Sequence, residues 1–191
     1  MFAIPLGSDA DGTGAELRPL EPWQAEEFFA HIERGREHIG RHVPLPDVNR
    51  TVEESRAFLE RYAEKQAADG GRIYGIWQGG TLVGGVLFRL FDAGQGTCEV
   101  GCWLEPAAVG QGLVTRALRL LIDWAVDVRG IHRVEWVASA ENAPSLRTAE
   151  RLGMRCDGVL RDGDLHRGKR TDLEIWSVLA PEWRQARASA S

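Results

Sequence analysis

Three β-rich segments follow one another without a helix between them: RIYGIWQ (72–78), TLVGGVLFRLF (81–91) and TCEVGCWL (97–104), joined only by GG and DAGQG. Such linkers suit hairpin turns and are too short for the crossover that parallel neighbours need. The chain therefore carries an antiparallel meander, which excludes a plain run of βαβ units.

The flanking segments extend this frame. Glu16–Leu20 reads as a short strand, and Pro22 opens a helix to about His38 with Trp23, Phe28, Phe29 and Ile32 as its apolar side. Residues 40–50 read as a loop, and Thr51 with Glu54 forms a capping-box pattern that starts a second helix to about Ala68. After the meander a helix is expected from Leu113 to about Val128. Its polar residues Arg116, Arg119, Asp123 and Asp127 recur at spacings of three and four, so its remaining surface lies against a sheet. HRVEWVAS (132–139) is a strand, and Asn142 caps a helix that Gly153 stops. MRCDGVLR (154–161) and TDLEIWSVL (171–179) are the last strands. The fold class is α+β, a mostly antiparallel mixed sheet flanked by helices. It is expected as one domain over 15–183, with a flexible segment 1–14 and a disordered tail 184–191.

The bulk properties exclude several function classes. A net charge of −5 argues against a nucleic-acid binder, which needs a basic surface to displace counterions. The three cysteines, Cys98, Cys102 and Cys156, form no CxxC pair, which fits a reducing compartment and no zinc site. The HIGRH segment (38–42) lacks the glutamate of a zinc-protease helix, so no metal is expected. MFAIPLGSDADG has no basic leader, and no stretch approaches the roughly 18 apolar residues of a membrane span. A cytoplasmic protein without membrane attachment is expected.

The chemistry concentrates in EPAAVGQGLVTRAL (105–118), where Gly110 and Gly112 precede a helix start. Ser, Thr, Asp and Asn cap better than glycine. Glycines at this place point to close approach of an anion to the unpaired N–H groups and positive dipole end of the helix. The string GxxxxGK[ST] is absent, and the GxGxxG fingerprint fails at Thr115. A pyrophosphate loop following a strand that ends in WLEP fits best; a ligand-free glycine turn is the alternative.

TCEVGCWLEPAAVGQGLVTRALRLLIDWA, continued by HRVEWVASAENAPSLRTAERLGMRCDGVLRD, resembles the acyl-CoA-binding core of GNAT-superfamily N-acetyltransferases, and more narrowly their RimJ/RimL branch, which acetylates protein N-termini. The likeness is clear over 97–165. The family loop Q/R-x-x-G-x-G/A corresponds to Val109, Gly110, Gln111, Gly112, Leu113 and Val114, with Val109 and Val114 departing from it. The resemblance implies acetyl-CoA as cosubstrate. Its phosphates are expected on the loop from Val109 through Thr115, and its pantetheine and thioester at the backbone of Cys102, Trp103 and Leu104 and at Asn142.

Acyl transfer needs a neutral amine, a stabilised oxyanion and a proton for the leaving thiolate. Read with period two, Cys98, Val100, Cys102 and Leu104 share an apolar face, and Thr97, Glu99, Gly101 and Trp103 share the other. The resemblance makes Glu99 the base that faces the acceptor. The position of the tyrosine acid of many GNAT enzymes holds Ala149, and RimL-like proteins suggest Ser145 in its place. In the polar segment RDGDLHRGKR (161–170), Asp164 matches a second carboxylate base, with Asp157, Asp162 and His166 as neighbouring rivals. For each, a structural role is the competing reading: an ion-paired strand glutamate, a helix-start serine, a solvated turn.

The expected activity is transfer of an acetyl group from acetyl-CoA to a primary amine, foremost a protein or peptide α-amine. A small-molecule amine acceptor, another short acyl-CoA donor, or a CoA-binding module without catalysis are the alternatives, and a homodimer is compatible with each.

Overall fold

The computed structural model describes residues 3–7 and 14–190. Its strands and helices are β1 (Ile4–Pro5), β2 (Ala15–Pro19), α1 (Ala25–Gly40), α2 (Val52–Ala67), β3 (Arg72–Gln78), β4 (Thr81–Asp92), β5 (Thr97–Leu104), α3 (Leu113–Asp123), β6 (Arg133–Ser139), α4 (Ala143–Arg151), β7 (Arg155–His166), β8 (Lys169–Leu179) and α5 (Ala180–Ala190). The sheet order is β1-β2-β3-β4-β5-β6-β8-β7. β5 and β6 pair in parallel, whereas β1–β2, β2–β3, β3–β4, β6–β8 and β7–β8 pair antiparallel. This is the mixed, mostly antiparallel sheet with flanking helices that the sequence implies.

The contacts divide the chain into two compact units, Met1–Phe88 with Cys102–Leu118, and Arg89–Gly101 with Arg119–Ser191. In the first, α1 and α2 bury Phe28, Ile32 and Leu59 completely, against Ile73, Trp77, Leu82 and Trp103. Phe28 stacks on Phe58 at 5.7 Å and meets Trp103 edge-on at 6.1 Å, geometries that favour aromatic pairs beyond their buried area. Trp23, expected on the apolar side of α1, is exposed; it sits in the 3-10 turn Pro22–Gln24, off the helical period. Thr51 caps α2 by accepting from the Glu54 N–H, and the Glu54 carboxylate accepts from the N–H of Arg50.

In the second unit β8 is paired on both edges, by β6 and by β7. The segment 161–170, read as a polar turn, is mostly strand: Asp164 pairs with Thr171 and His166 with Lys169. Only Arg167 and Gly168 make the turn, both at positive φ (49° and 79°), which matches the right-handed twist of the strands they join.

The C-terminal residues also differ from expectation. Residues 184–190 belong to α5, where a disordered tail was expected. Arg184 and Arg187 pair with Asp127, and Asp123 accepts from both Arg187 and the Trp183 indole. At the other end, Ile4–Pro5 of the expected flexible segment pairs with Glu16–Leu17; residues 1–2 and 8–13 of that segment lie outside the described residues. No helix among the described residues is long and apolar enough to cross a membrane.

Candidate functional site

In the first unit the chain leaves β5, makes a 3-10 turn at Pro106–Ala108 and enters α3 at Leu113. Between them Gly110 and Gly112 have φ of +87° and +71°, a region that costs other residues about 1–3 kcal/mol. A Cβ on Gly110 would meet nothing within 4 Å, and one on Gly112 only the end of Arg116, at 3.8 Å. Backbone curvature, not crowding by the protein, therefore selects glycine here.

The first α3 bond runs from the Arg116 N–H to the Gly112 carbonyl at 3.1 Å. The amides of Leu113, Val114 and Thr115 precede it and belong to the donors a helix start leaves over. No acidic side chain stands in the first turn to take them. Gln111 braces the loop by donating to the Ala107 carbonyl (3.2 Å) and accepting from Gln78 (2.7 Å). Val109, at the place of the family's Gln or Arg, is exposed. The loop can receive an anion on backbone donors alone.

The end of β5 is fixed more tightly than its sequence suggests. Trp103, expected opposite the apolar face, is 5% exposed. A Cβ on Gly85 would lie 2.2 Å from its ring, so that glycine leaves the indole its room. The Trp103 indole donates to His31 Nε2 at 3.0 Å. His31, fully buried, donates from Nδ1 to Glu105 at 3.2 Å. Glu105 also accepts from Arg34 Nε at 3.2 Å, and Arg34 donates to the Leu82 carbonyl at 2.6 Å. Burial, with the Arg34 charge adding, pushes the His31 pKa down to about 3, so the ring is neutral. The Glu105 N–H bonds the Val83 carbonyl on β4 at 2.9 Å. Strand alternation then directs the Leu104 N–H and C=O away from β4. The register of β5 with β6 covers Thr97, Cys98 and Glu99, and Cys102 and Leu104 lie beyond it. Burial pushes the Cys102 thiol up to about 12, so it is no thiolate near neutral pH.

The second unit holds the remaining candidates. Glu99 is 6% exposed, and both of its oxygens accept from the Arg89 guanidinium. Asn142 caps α4, its Oδ1 accepting from the Ser145 N–H at 3.2 Å. The Ser145 hydroxyl oxygen accepts from the buried Trp136 indole at 3.0 Å, which leaves its own proton for another acceptor. Ala149 is fully buried. Asp164, half-buried on β7, pairs with no cation among the described residues. Asp157 is engaged by Ser177 and Arg133, which hold its carboxyl below its ordinary range, and the Asp162 N–H bonds Asp172.

His31, Arg34 and Arg89 were not among the residues the sequence singles out. Arg34 lies 71 positions from Glu105, and only the fold brings the two together.

Residues 15–155 match the family model of the acetyltransferase (GNAT) domain. The chain is 29% identical over 173 residues to "Probable N-acetyltransferase YjcK" of Bacillus subtilis (strain 168), covering 88% of this chain and 96% of that protein. It is 21% identical over 162 residues to the ribosomal-protein-serine acetyltransferase of Escherichia coli (strain K12), covering 85% and 90%. Its fold matches that of RimL, the ribosomal L7/L12 α-N-protein acetyltransferase, in a complex with coenzyme A. The TM-score is 0.85 at 17% identity, over 93% of this chain and 98% of that one. With the family model spanning most of its length, this chain belongs to the GNAT acetyltransferase family.

Proposed function

We propose that the protein transfers the acetyl group of acetyl-CoA to the α-amine of a protein or peptide. The observation that carries the donor is the loop 109–115, with two left-handed glycines and an acid-free helix start. Pyrophosphate sits on the amides of Gly110, Gln111, Gly112, Leu113, Val114 and Thr115, with the exposed Val109 at the loop's edge. The thioester arm pairs with backbone at Cys102, Trp103 and Leu104, where the Leu104 groups point away from β4, and with the Asn142 side chain.

The neutral amine attacks the thioester carbonyl, a C–N bond forms and the C–S bond breaks. The amine proton goes to a carboxylate and the thiolate receives one in return. Glu99 takes the amine proton on lone pairs that Arg89 leaves open. Asp164, which carries no counter-ion among the described residues, is the alternative acceptor of that proton. Ser145 protonates the sulfur, its oxygen oriented by the Trp136 N–H. Positioning of the two substrates supplies a large part of the rate.

The protein acceptor is supported by the acceptors that the names of the relatives carry, a ribosomal-protein serine for one and L7/L12 for the other. The test is thiol release from acetyl-CoA with peptides of varied N-termini in one pool and small amines in another. Peptide-dependent release is expected. Release with small amines alone moves the acceptor to a small molecule, and absence of CoA binding overturns the loop assignment.

A further inference from the structure

The mechanism leaves unused a fully buried titratable side chain of the first unit, His31. His31 comes from the middle of α1 and contacts two residues on either side of Leu104. It accepts from the Trp103 indole at 3.0 Å and donates to Glu105 at 3.2 Å. Trp103 and Glu105 stand two apart and so project to the same face of the strand. One imidazole thus pins both neighbours of the residue whose backbone points away from β4.

The other contacts continue the same restraint. Phe28, three residues earlier on α1, meets the Trp103 ring edge-on at 6.1 Å. Arg34, three residues later, holds Glu105 at 3.2 Å and the Leu82 carbonyl on β4 at 2.6 Å. Glu105 is the N-terminal cap of the Pro106–Ala108 turn, which leads into the glycine loop. A fully apolar core would have been simpler to build here. A buried histidine with both nitrogens engaged defines one tautomer, one ring orientation and one place for each partner.

We propose that His31 is a positioning residue for the donor site: through Trp103 and Glu105 it fixes the Leu104 backbone and the entry to the loop 109–115. It touches no substrate. The inference rests on the reading of that segment as the acetyl-CoA site. Loss of its two hydrogen bonds leaves the segment free to move by fractions of an ångström, enough to weaken backbone pairing with the thioester arm.

The test uses the full chain as wild type, His31→Gln and His31→Leu. Gln can offer one amide N–H and one carbonyl to the same two partners, whereas Leu fills space and offers neither. Calorimetric titration with CoA comes first, at a temperature where near-ultraviolet circular dichroism shows every protein folded. Binding by wild type, an affinity at least about tenfold lower for His31→Leu and recovery to within about threefold for His31→Gln are expected. Equal affinity in all three overturns the positioning role and leaves the donor site standing. Equal loss in Gln and Leu also overturns it, because packing alone would then account for the effect. If wild type does not bind CoA, the donor-site reading itself falls and the positioning role with it. Should His31→Leu not fold, replacement of Trp103 by 3-benzothienylalanine keeps a bicyclic ring of the same shape and removes the N–H, and the same tenfold loss is read there. An unchanged affinity in that variant overturns the proposal.

Discussion

Arg89 and Glu99 form a bidentate ion pair between β4 and β5 in which the carboxylate side chain is 8% exposed and the guanidinium 55%. The two halves differ in exposure. The buried carboxylate depends on the guanidinium for its charge-assisted bonds, while the exposed end of the arginine remains open to water. Removing Arg89 strands the buried negative charge, and removing the Glu99 charge removes the proposed base.

Glu99→Gln is therefore expected to lower kcat about 100-fold, with little change in CoA affinity. Arg89→Ala is expected to cost about 1–3 kcal/mol of stability, because the buried carboxylate loses a charge-assisted partner. Steady-state kinetics and denaturant melts on both variants separate the effects. If Glu99→Gln keeps wild-type kcat while Asp164→Asn loses it, Asp164 is the base.

The loop gives the second prediction. Gly112→Val places a β-branched residue at φ +71° beside the helix start, a conformation it adopts only under strain of about 1–3 kcal/mol. The loop responds by changing shape, and the amides of 113–115 lose their common aim. The KM for acetyl-CoA should rise at least about tenfold with a smaller change in kcat. A rise confined to the acceptor KM would place the loop on the wrong substrate.

Much of this site is legible in the chain itself. The bounds of β5, the helix start at Leu113 and the Asn142 cap follow from turn residues, capping residues and period. What the chain does not display is cover. Alternation along TCEVGCWL sorts residues into two faces, yet it does not say that something packs on both. Trp103 is buried on the face that carries Glu99, and Glu99 is buried as well. His31 reads as one polar residue in an amphipathic helix because its partners lie 72 and 74 positions away. The segment 161–170 reads as a turn because hydrophilicity usually marks one, but here its strands are exposed, so polar side chains suit them. The last residues are helical through charge pairs with Asp123 and Asp127, some 60 positions upstream.

Ser145 gives the third prediction. Its oxygen already accepts from Trp136, so its proton is the part it can give. Ser145→Ala should lower kcat by about ten- to a hundredfold while the KM for acetyl-CoA stays within about twofold. The lost acceptor for the buried indole should cost about 1 kcal/mol of stability. An unchanged kcat with a raised KM would make Ser145 a binding residue only.

The fourth prediction concerns pH. His31 has its folded pKa lowered to about 3 by burial and by Arg34, against about 6.5 in the unfolded chain. Below pH 6.5 the unfolded chain binds a proton that the folded ring refuses. Its contribution is therefore fully present above pH 6.5 and declines as pH falls toward 3, by roughly 1.4 kcal/mol per unit. Asp127 and Asp157 act with the same sign, but their carboxyls are lowered from near 3.8, so they act below about pH 4. Glu27, raised by burial, acts with the opposite sign near pH 4.5. The readout is accordingly the difference between wild type and His31→Gln, in which the other groups cancel. Between pH 6.5 and 4.5 that difference should fall by about 2–3 kcal/mol in favour of the variant. A difference that stays flat across the window would mean that the buried ring takes up its proton in place, and that the Trp103–His31–Glu105 chain is not held in its neutral form.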